Sequence, residues 1–111
     1  MVSAYVPGQA DVVWLEFDPQ AGHEQAGHRP AIVLSKKDYN RKTGLAVFCP
    51  ITSRVKGYPF EVAFVLSKVQ GAILSDQVKS LDWKARKAKF IDRIDRVTFE
   101  EVLAKLNAIF Q

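Results

Sequence analysis

The sequence has few of the features that usually reveal a protein's chemistry. Cys49 is the only cysteine among 111 residues, so an intramolecular disulfide and a zinc site built from thiolates are both excluded. Within the apolar run LAVFCPI it is predicted to be a small buried hydrophobe. The longest apolar runs, 31–34 and 45–50, are far shorter than the roughly 20 residues that cross a bilayer. The N-terminus has no basic segment followed by an apolar one, so we expect a cytosolic protein.

Common catalytic motifs are also missing. The chain contains neither the glycine-rich patterns GxGxxG and GxxxxGK[ST], which cradle phosphates, nor the GxSxG pattern of serine hydrolases. His23 and His28 superficially resemble a zinc-protease helix, but they are five residues apart, and that motif needs a spacing of four on one helical face. We therefore predict no metal site and no cofactor.

Positive charge is concentrated in the middle of the chain. The formal net charge is +4, but residues 1–35 carry −3, residues 36–89 carry +8 and residues 90–111 carry −1. Clustered lysine and arginine attract phosphate backbones regardless of nucleotide sequence. If folding collects the basic segment on one face, a polyanionic partner is favoured. The alternative is a solvated surface with scattered charges.

Short segments with β-branched or alternating apolar residues dominate the hydrophobic pattern, and glycine, proline, asparagine or aspartate separate them. Little helix intervenes, so we predict that residues 1–111 form one domain, mainly β with a C-terminal helix, arranged as a small curved antiparallel barrel. The predicted strands cover 12–17, 31–35, 45–52, 60–66, 72–79 and 89–94.

Capping signals predict two helices. In the first, Ser35 is the expected N-cap, and Asp38, three residues later, is expected to complete the capping interaction with it. Gly44 ends the segment. The second is expected to start with Thr98 as N-cap and Glu101 completing a capping box. Apolar residues then recur with a period near 3.6, so this helix should close the barrel or form a dimer contact.

Polar clusters lie beside three of the predicted strands, namely His28-Arg29, Thr52-Ser53-Arg54 and the run 76–80 along strand five. The first follows a long glycine-containing loop, 18–29, and long loops often bind ligands or act as lids. Taken singly, each cluster also fits solvated strand ends.

Taken together, the stretches that contain these clusters resemble the sequences of a known family. The stretches EQAGHRPAIVLS (24–35), FCPITSRVKGYPFEV (48–62) and SDQVKSLDWKAR (75–86) resemble signature segments of the MazF/PemK toxin endoribonucleases. GQADVVWLEFDPQAG (8–22) resembles the first strand of that family, and the resemblance continues from about Tyr5 to the C-terminus.

The resemblance implies an SH3-like barrel, a homodimer, and metal-independent cleavage of single-stranded RNA at short sequences. It also implies a cognate antitoxin whose acidic, flexible tail occupies the RNA groove. The basic middle segment agrees with these expectations. Two alternatives remain open: a toxin of the same shape that binds DNA gyrase, as the related CcdB toxins do, and a plain RNA-binding module.

By the same resemblance, Arg29 and Thr52 correspond to the catalytic arginine and threonine of the family. The expected reaction uses the 2′-hydroxyl of the substrate and leaves a 2′,3′-cyclic phosphate and a 5′-hydroxyl. Arginine can bind two phosphate oxygens through its planar fork, whereas its permanent charge makes it a poor base. Glu24 and His28 are therefore rival candidates for the base.

RNA recognition requires groups that stack on unpaired bases or bind their edges and backbone. Gln77 offers both a donor and an acceptor, lysine and arginine offer charge, and aromatic side chains can stack. The candidates are Trp14, Ser53, Tyr58, Gln77, Lys79 and Arg86. Trp14 could equally be a core residue, and the loop after Thr52 leaves the recognised RNA sequence open.

Overall fold

Seven β-strands and two helices make up the structure, a computed structural model that describes residues 5–17 and 27–111. The predicted β-rich architecture with a C-terminal helix is confirmed. The elements in chain order are β1 Asp11–Glu16, β2 His28–Val33, α1 Lys37–Thr43, β3 Leu45–Thr52, β4 Glu61–Val65, β5 Gln70–Leu74, β6 Lys79–Asp82, β7 Lys89–Arg93 and α2 Arg96–Phe110.

One antiparallel sheet contains all of these strands in the order β4-β5-β3-β2-β1-β7, with β6 paired to β3. β3 is long enough to pair with three strands. Its first half pairs with β6, its middle with β2, and its last two residues with β5. Strands that leave one long partner in different directions curl the sheet into a half-barrel. The C-terminal end of β3 consequently lies where β2 and β5 diverge.

Alternation along the strands fills a core on each face of the sheet. Val12 and Ile32 point to one face, where Phe99 and Val102 of α2 cover them. Val13 and Ala31 point to the other, where Trp83 packs. α2 therefore closes one side of the half-barrel, as its apolar period predicts. Cys49 is fully buried in the first cluster, which confirms that it is a core residue.

The predicted strand 72–79 is wrong, because two strands occupy this region. β5 ends at Leu74, the Gln77 amide donates to the Leu74 carbonyl at 3.1 Å, and β6 begins only at Lys79. Asp76 and Gln77 therefore lie in a turn instead of along a strand. The hydrophobic pattern of this run resembles that of one continuous strand because valine and leucine residues flank the polar turn.

Both helix starts also differ from prediction. Lys36, rather than Ser35, is the N-cap of α1, whereas the predicted end at Gly44 is confirmed by its left-handed φ of 74°. α2 begins at Arg96 with Asp95 as N-cap, because the Asp95 carboxylate accepts from the Thr98 amide at 3.3 Å. Thr98 is thus inside the first turn and is not the cap. Neither helix, nor any other in the described ranges, is long and apolar enough to span a membrane.

Candidate functional site

A polar cavity of about 800 Å³ opens at the C-terminal end of β3. It is bounded by the start of β2, the segment between β3 and β4, and the turn after β5. Its lining residues are Arg29, Thr52, Ser53, Arg54, Lys56, Gly57, Tyr58, Glu61, Leu74, Asp76 and Gln77. Five of the ten residues singled out from the sequence, Arg29, Thr52, Ser53, Tyr58 and Gln77, are therefore brought together in one place.

The sheet register brings Arg29 and Thr52 to the same end of their strands. β2 pairs with β3 through Ala31 and Pro50, and with β1 through Arg29 and Leu15. Continuing the β2–β3 register by two residues sets Arg29 level with Thr52. Arg29 is half-buried within a strand that is paired on this side by β1, so the sheet limits the positions its guanidinium can reach.

Thr52 is held more tightly than a strand end usually is. Its side chain is buried, with 7% of the residue exposed, and its hydroxyl oxygen accepts from the Arg54 amide at 3.1 Å. A threonine hydroxyl has one hydrogen of its own to donate, and this bond uses only its oxygen. On the other side Thr52 pairs with Ala72 of β5. The donor of Thr52 is thus presented from a fixed backbone.

A carboxylate organises the segment between β3 and β4. Glu61 accepts from the amides of Lys56 at 3.1 Å and Gly57 at 3.0 Å, and Gly57 has a left-handed φ of 77°. These bonds fold the loop back onto the start of β4. Lys56 and Arg54 are exposed at the mouth of the cavity, where they add positive charge to that of Arg29.

Tyr58 connects this loop to the turn after β5. Its hydroxyl donates to the Asp76 carboxylate at 3.0 Å, and its ring packs against Phe60 with centroids 5.7 Å apart. The hydrogen bond raises the pKa of Tyr58, and the negative charge of Asp76 adds to the effect. Tyr58 remains 47% exposed, so part of its side chain is accessible from solvent.

The other predicted residues lie outside the described lining of this cavity. His28, next to Arg29, packs against Trp14 with ring centroids 5.1 Å apart. Trp14 is 38% exposed, so it is a surface residue and not a core aromatic.

Lys79 is paired with Phe48 in the sheet, and Arg86 donates to the Glu16 carbonyl at 3.4 Å. Glu24 and His23 lie outside the described residues.

Four charged residues of the cavity were not named as candidate site residues from the sequence: Arg54, Lys56, Glu61 and Asp76. Arg54 and Asp76 do belong to the polar clusters identified there. Glu61 carries no signal in the sequence, because its role depends on the loop folding back so that it accepts from the amides of Lys56 and Gly57. Arg54 and Lys56 follow Thr52 too closely to be distinguished from an ordinary solvated loop. Within residues 5–17 and 27–111, no three histidine, cysteine, aspartate or glutamate residues are grouped so that they could hold a metal ion.

Comparison with known proteins gives consistent matches over nearly the whole chain. The sequence model of the PemK-like, MazF-like toxins of type II toxin–antitoxin systems matches residues 8–110. The chain is 47% identical over 109 residues to the endoribonuclease toxin MazF of Escherichia coli strain K12, covering 98% of each. It is 36% identical to the E. coli endoribonuclease PemK, covering 87% of this chain and 77% of PemK.

Solved structures agree. A crystal structure of MazF from Deinococcus radiodurans superimposes with a TM-score of 0.93 at 48% identity, covering 96% of this chain and 98% of that one. A MazE–MazF crystal structure from the same organism gives 0.85 at 42% identity, covering 96% and 97%. With this fold, this cavity and these relatives, the chain belongs to the family of PemK-like, MazF-like toxins of type II toxin–antitoxin systems.

Proposed function

We propose that this protein is a toxin endoribonuclease that cleaves single-stranded RNA at short specific sequences without a metal ion. The observation that carries the proposal is that Arg29 and Thr52 line one cavity at the end of adjacent strands. Relatives named as endoribonucleases support the substrate class. The cytoplasm is the compartment in which such an enzyme would meet messenger RNA.

The reaction needs no external nucleophile. The 2′-oxygen next to the scissile bond loses its proton and attacks phosphorus, and the bond to the 5′-oxygen breaks. The products are a 2′,3′-cyclic phosphate and a 5′-hydroxyl, the latter formed when the leaving oxygen gains a proton. Between the two steps the phosphorus carries five oxygens and extra negative charge. An enzyme accelerates the reaction by stabilising this charge more strongly than that of the ground state.

Arg29 suits this stabilising role. A guanidinium donates two parallel hydrogen bonds to the non-bridging phosphate oxygens and keeps its charge throughout. Thr52 adds a neutral donor from the neighbouring strand, aimed from a backbone that is already fixed. Preorganised donors of this kind typically contribute about 3 kcal/mol each to the transition state.

The proton on the 2′-hydroxyl requires an acceptor near Arg29. His28 precedes Arg29 in β2, and a neutral imidazole has a ring nitrogen that can accept a proton. Glu24 is the second candidate from the sequence, and Arg29 itself is the third. Three single substitutions with full pH–rate profiles distinguish them, since loss of the base removes the acidic limb of the profile.

Recognition of the RNA sequence is assigned to the loop and turn that frame the cavity. Tyr58 can stack on a base through its exposed face, Gln77 can donate to and accept from a base edge, and Ser53 offers a hydroxyl at the rim. Lys79, Arg86 and Trp14 lie outside the cavity lining and would contact nucleotides farther along the strand.

The same cavity suits regulation by a protein. MazE–MazF complexes of the Deinococcus relative contain both partners. We propose that this chain acts as a homodimer and that a cognate antitoxin places an acidic, flexible tail over Arg29, Arg54 and Lys56. Carboxylates of such a tail would occupy the positions of RNA phosphates and so prevent binding of substrate.

The test is cleavage of a long, weakly structured RNA in the presence of a chelator, with the ends mapped by sequencing. Discrete cuts that carry cyclic phosphate and 5′-hydroxyl ends support the proposal. Arg29→Ala is expected to abolish the cuts and Arg29→Lys to restore little, because lysine lacks the fork. Arg96→Ala, which removes an exposed arginine from α2, is the matched control and should cut normally.

Three outcomes would contradict the proposal. Cleavage that the chelator stops would remove metal independence. Retarded but uncut RNA would favour a binding module. Absence of cleavage together with gyrase-dependent damage to DNA would identify a toxin with a different target.

A further inference from the structure

Positive charge outside the cavity is gathered on two segments, 36–43 and 82–89, which we call the α1–turn surface. The 16 residues of these segments carry eight lysines and arginines against two aspartates, a net charge of +6. The whole chain carries +4, so the remaining residues are net negative. The basic middle of the sequence is therefore largely this surface, and the residues of the cavity do not account for it.

The fold brings the two segments together and holds them. β3 pairs with β6 through Leu45 and Asp82, so the residues before β3 and those after β6 meet at one edge of the sheet. The Trp83 indole donates to the Asn40 carbonyl at 2.9 Å, and both residues are buried. Asn40 also donates to the Pro7 carbonyl at 2.7 Å. α1 is thus anchored to the turn by its buried side, and its charged side faces outward.

The exposed side combines cations with an aromatic ring. Lys37, Arg41 and Lys42 of α1 and Lys84 and Lys87 of the turn are all exposed. Asp38 offsets only Arg41, at 3.0 Å, and Asp82 accepts from the amides of the turn. Among these cations Tyr39 is 45% exposed. An exposed tyrosine on a surface that carries several exposed cations is a combination that binds single-stranded nucleic acid, since bases stack on the ring while phosphates pair with the cations.

Contacts connect this surface to the strand end that carries Arg29. The Glu16 amide donates to the Arg86 carbonyl at 3.0 Å, and Glu16 pairs with His28 across β1 and β2. A single strand that leaves the cavity along this end of β1 and β2 would therefore meet the turn and then α1. The length of β3, about 23 Å at 3.3 Å per residue, separates Leu45 from Thr52, a distance that several nucleotides would span.

We propose that the α1–turn surface is a second binding site for single-stranded RNA, which holds nucleotides flanking the scissile bond and takes no part in the chemistry. The proposal rests on the proposed endoribonuclease function and deepens it. It assigns affinity for long RNA to a surface separate from the residues that cleave. Substitutions on this surface should then affect long substrates and leave short ones unchanged.

The experiment compares two RNAs that share the cleaved sequence, one short and one with long unstructured extensions on both sides. A 2′-deoxy sugar at the scissile position blocks cutting during binding measurements. Lys42→Ala/Lys84→Ala removes two cations of the surface, and Lys68→Ala/Arg96→Ala removes the same charge elsewhere. Asn40 and Trp83 stay intact, so unchanged melting temperatures are expected.

For the long RNA, Lys42→Ala/Lys84→Ala should weaken binding and make the slope of log K against log salt shallower by about 1.4, given about 0.7 for each phosphate contact. Tyr39→Ala should weaken it at least about fivefold through lost stacking. For the short RNA, affinity and kcat/KM should equal those of the unsubstituted protein with every variant. The control double variant should match the unsubstituted protein on both RNAs.

Equal losses on short and long RNA would overturn the inference, since the effect would then be general charge. An unchanged affinity for long RNA would also overturn it. If that result came with weakened binding of a poly-glutamate peptide, the surface would be one for acidic protein segments. None of these results bears on the proposed function, which is tested separately by whether the unsubstituted protein cuts the short RNA in the presence of a chelator.

Discussion

Gly71 in β5 lies directly against the backbone of Thr52 in β3. A β-carbon on Gly71 would overlap the Thr52 carbonyl oxygen, and Gly71 has a φ of 145°, a conformation that side chains rarely adopt. The close approach lets β5 pair with the last residue of β3, so the cavity end of that strand is held by β5 beyond the point where its pairing with β2 ends. A residue with no functional group thereby determines where a proposed catalytic hydroxyl lies.

Gly71→Ala is expected to displace Thr52 and to lower both stability and cleavage. Strain and overlap together should reduce the free energy of unfolding by about 1–3 kcal/mol. Gly44→Ala is the matched control, because Gly44 also has a positive φ but open space around it. Both variants should melt at a lower temperature, whereas only Gly71→Ala should lose kcat per folded molecule. Equal kcat in the two variants would mean that Gly71 does not position Thr52.

The hydroxyl of Thr52 can be tested apart from its shape. Thr52→Val keeps the branched side chain but removes both the donor and the acceptor for the Arg54 amide. We expect kcat to fall about 10²–10³-fold, the usual loss for one preorganised donor. Thr52→Ser should keep most of the activity because the hydroxyl remains. If the valine variant cuts RNA normally, the hydroxyl has no part in the reaction.

The bond between Tyr58 and Asp76 predicts a pH dependence at the alkaline end. In the folded protein the hydrogen bond to Asp76 raises the pKa of Tyr58 above its ordinary value of 10.0. The contribution to stability is therefore complete below pH 10 and is lost as the pH rises through the folded-state value. Ultraviolet titration of tyrosinate, with Tyr58→Phe subtracted, should show this high value, and Asp76→Ala should bring it back toward normal.

An unchanged titration in Asp76→Ala would contradict the hydrogen bond in solution. Such a result would leave the loop and the turn unconnected at the mouth of the cavity. Binding of RNA by the two variants then provides a second measurement, since the bond holds the Tyr58 ring in the position from which it could stack.

The cap of α2 should be Asp95 and not Thr98. Asp95→Ala is expected to lower the melting temperature and Asp95→Asn to lower it less, because asparagine also caps well. Bonds from the Thr98 side chain and amide lower the pKa of Asp95 below its ordinary value of 3.8, so its contribution to stability is present above that pH and lost on acidification. Glu101→Ala should have little effect. If Glu101→Ala lowered the melting temperature more than Asp95→Ala, the result would support a capping box formed by Thr98 and Glu101 instead.

Local sequence patterns predicted most of the strands because apolar alternation and turn residues directly reflect burial. β1 and β3 match their predicted ranges closely for this reason. The division of 72–79 between β5 and β6 was missed, because whether a short polar run is a turn or an exposed strand edge depends on its partners. Ser75 illustrates this, since its amide donates to the Phe60 carbonyl from a distant loop.

The candidate site was predictable only in part. The resemblance to a family identified Arg29 and Thr52, which the sheet register then brings to one cavity. Trp14 and His28 are far apart in sequence, and the pairing of β1 with β2 brings them together as a ring pair. The roles of Glu61 and Gly71 depend on backbone contacts across the loop and between strands, and no local pattern encodes such contacts.

Because β3 pairs with three other strands and Thr52 is its last residue, a shift of the strand that moved Thr52 would loosen several ladders at once. A change in RNA preference is therefore expected to arise elsewhere, in residues 53–60 and 75–78, where length and charge can vary while the ladders persist. Proteins of this fold would then differ in the RNA sequences that they recognise and share the chemistry of cleavage.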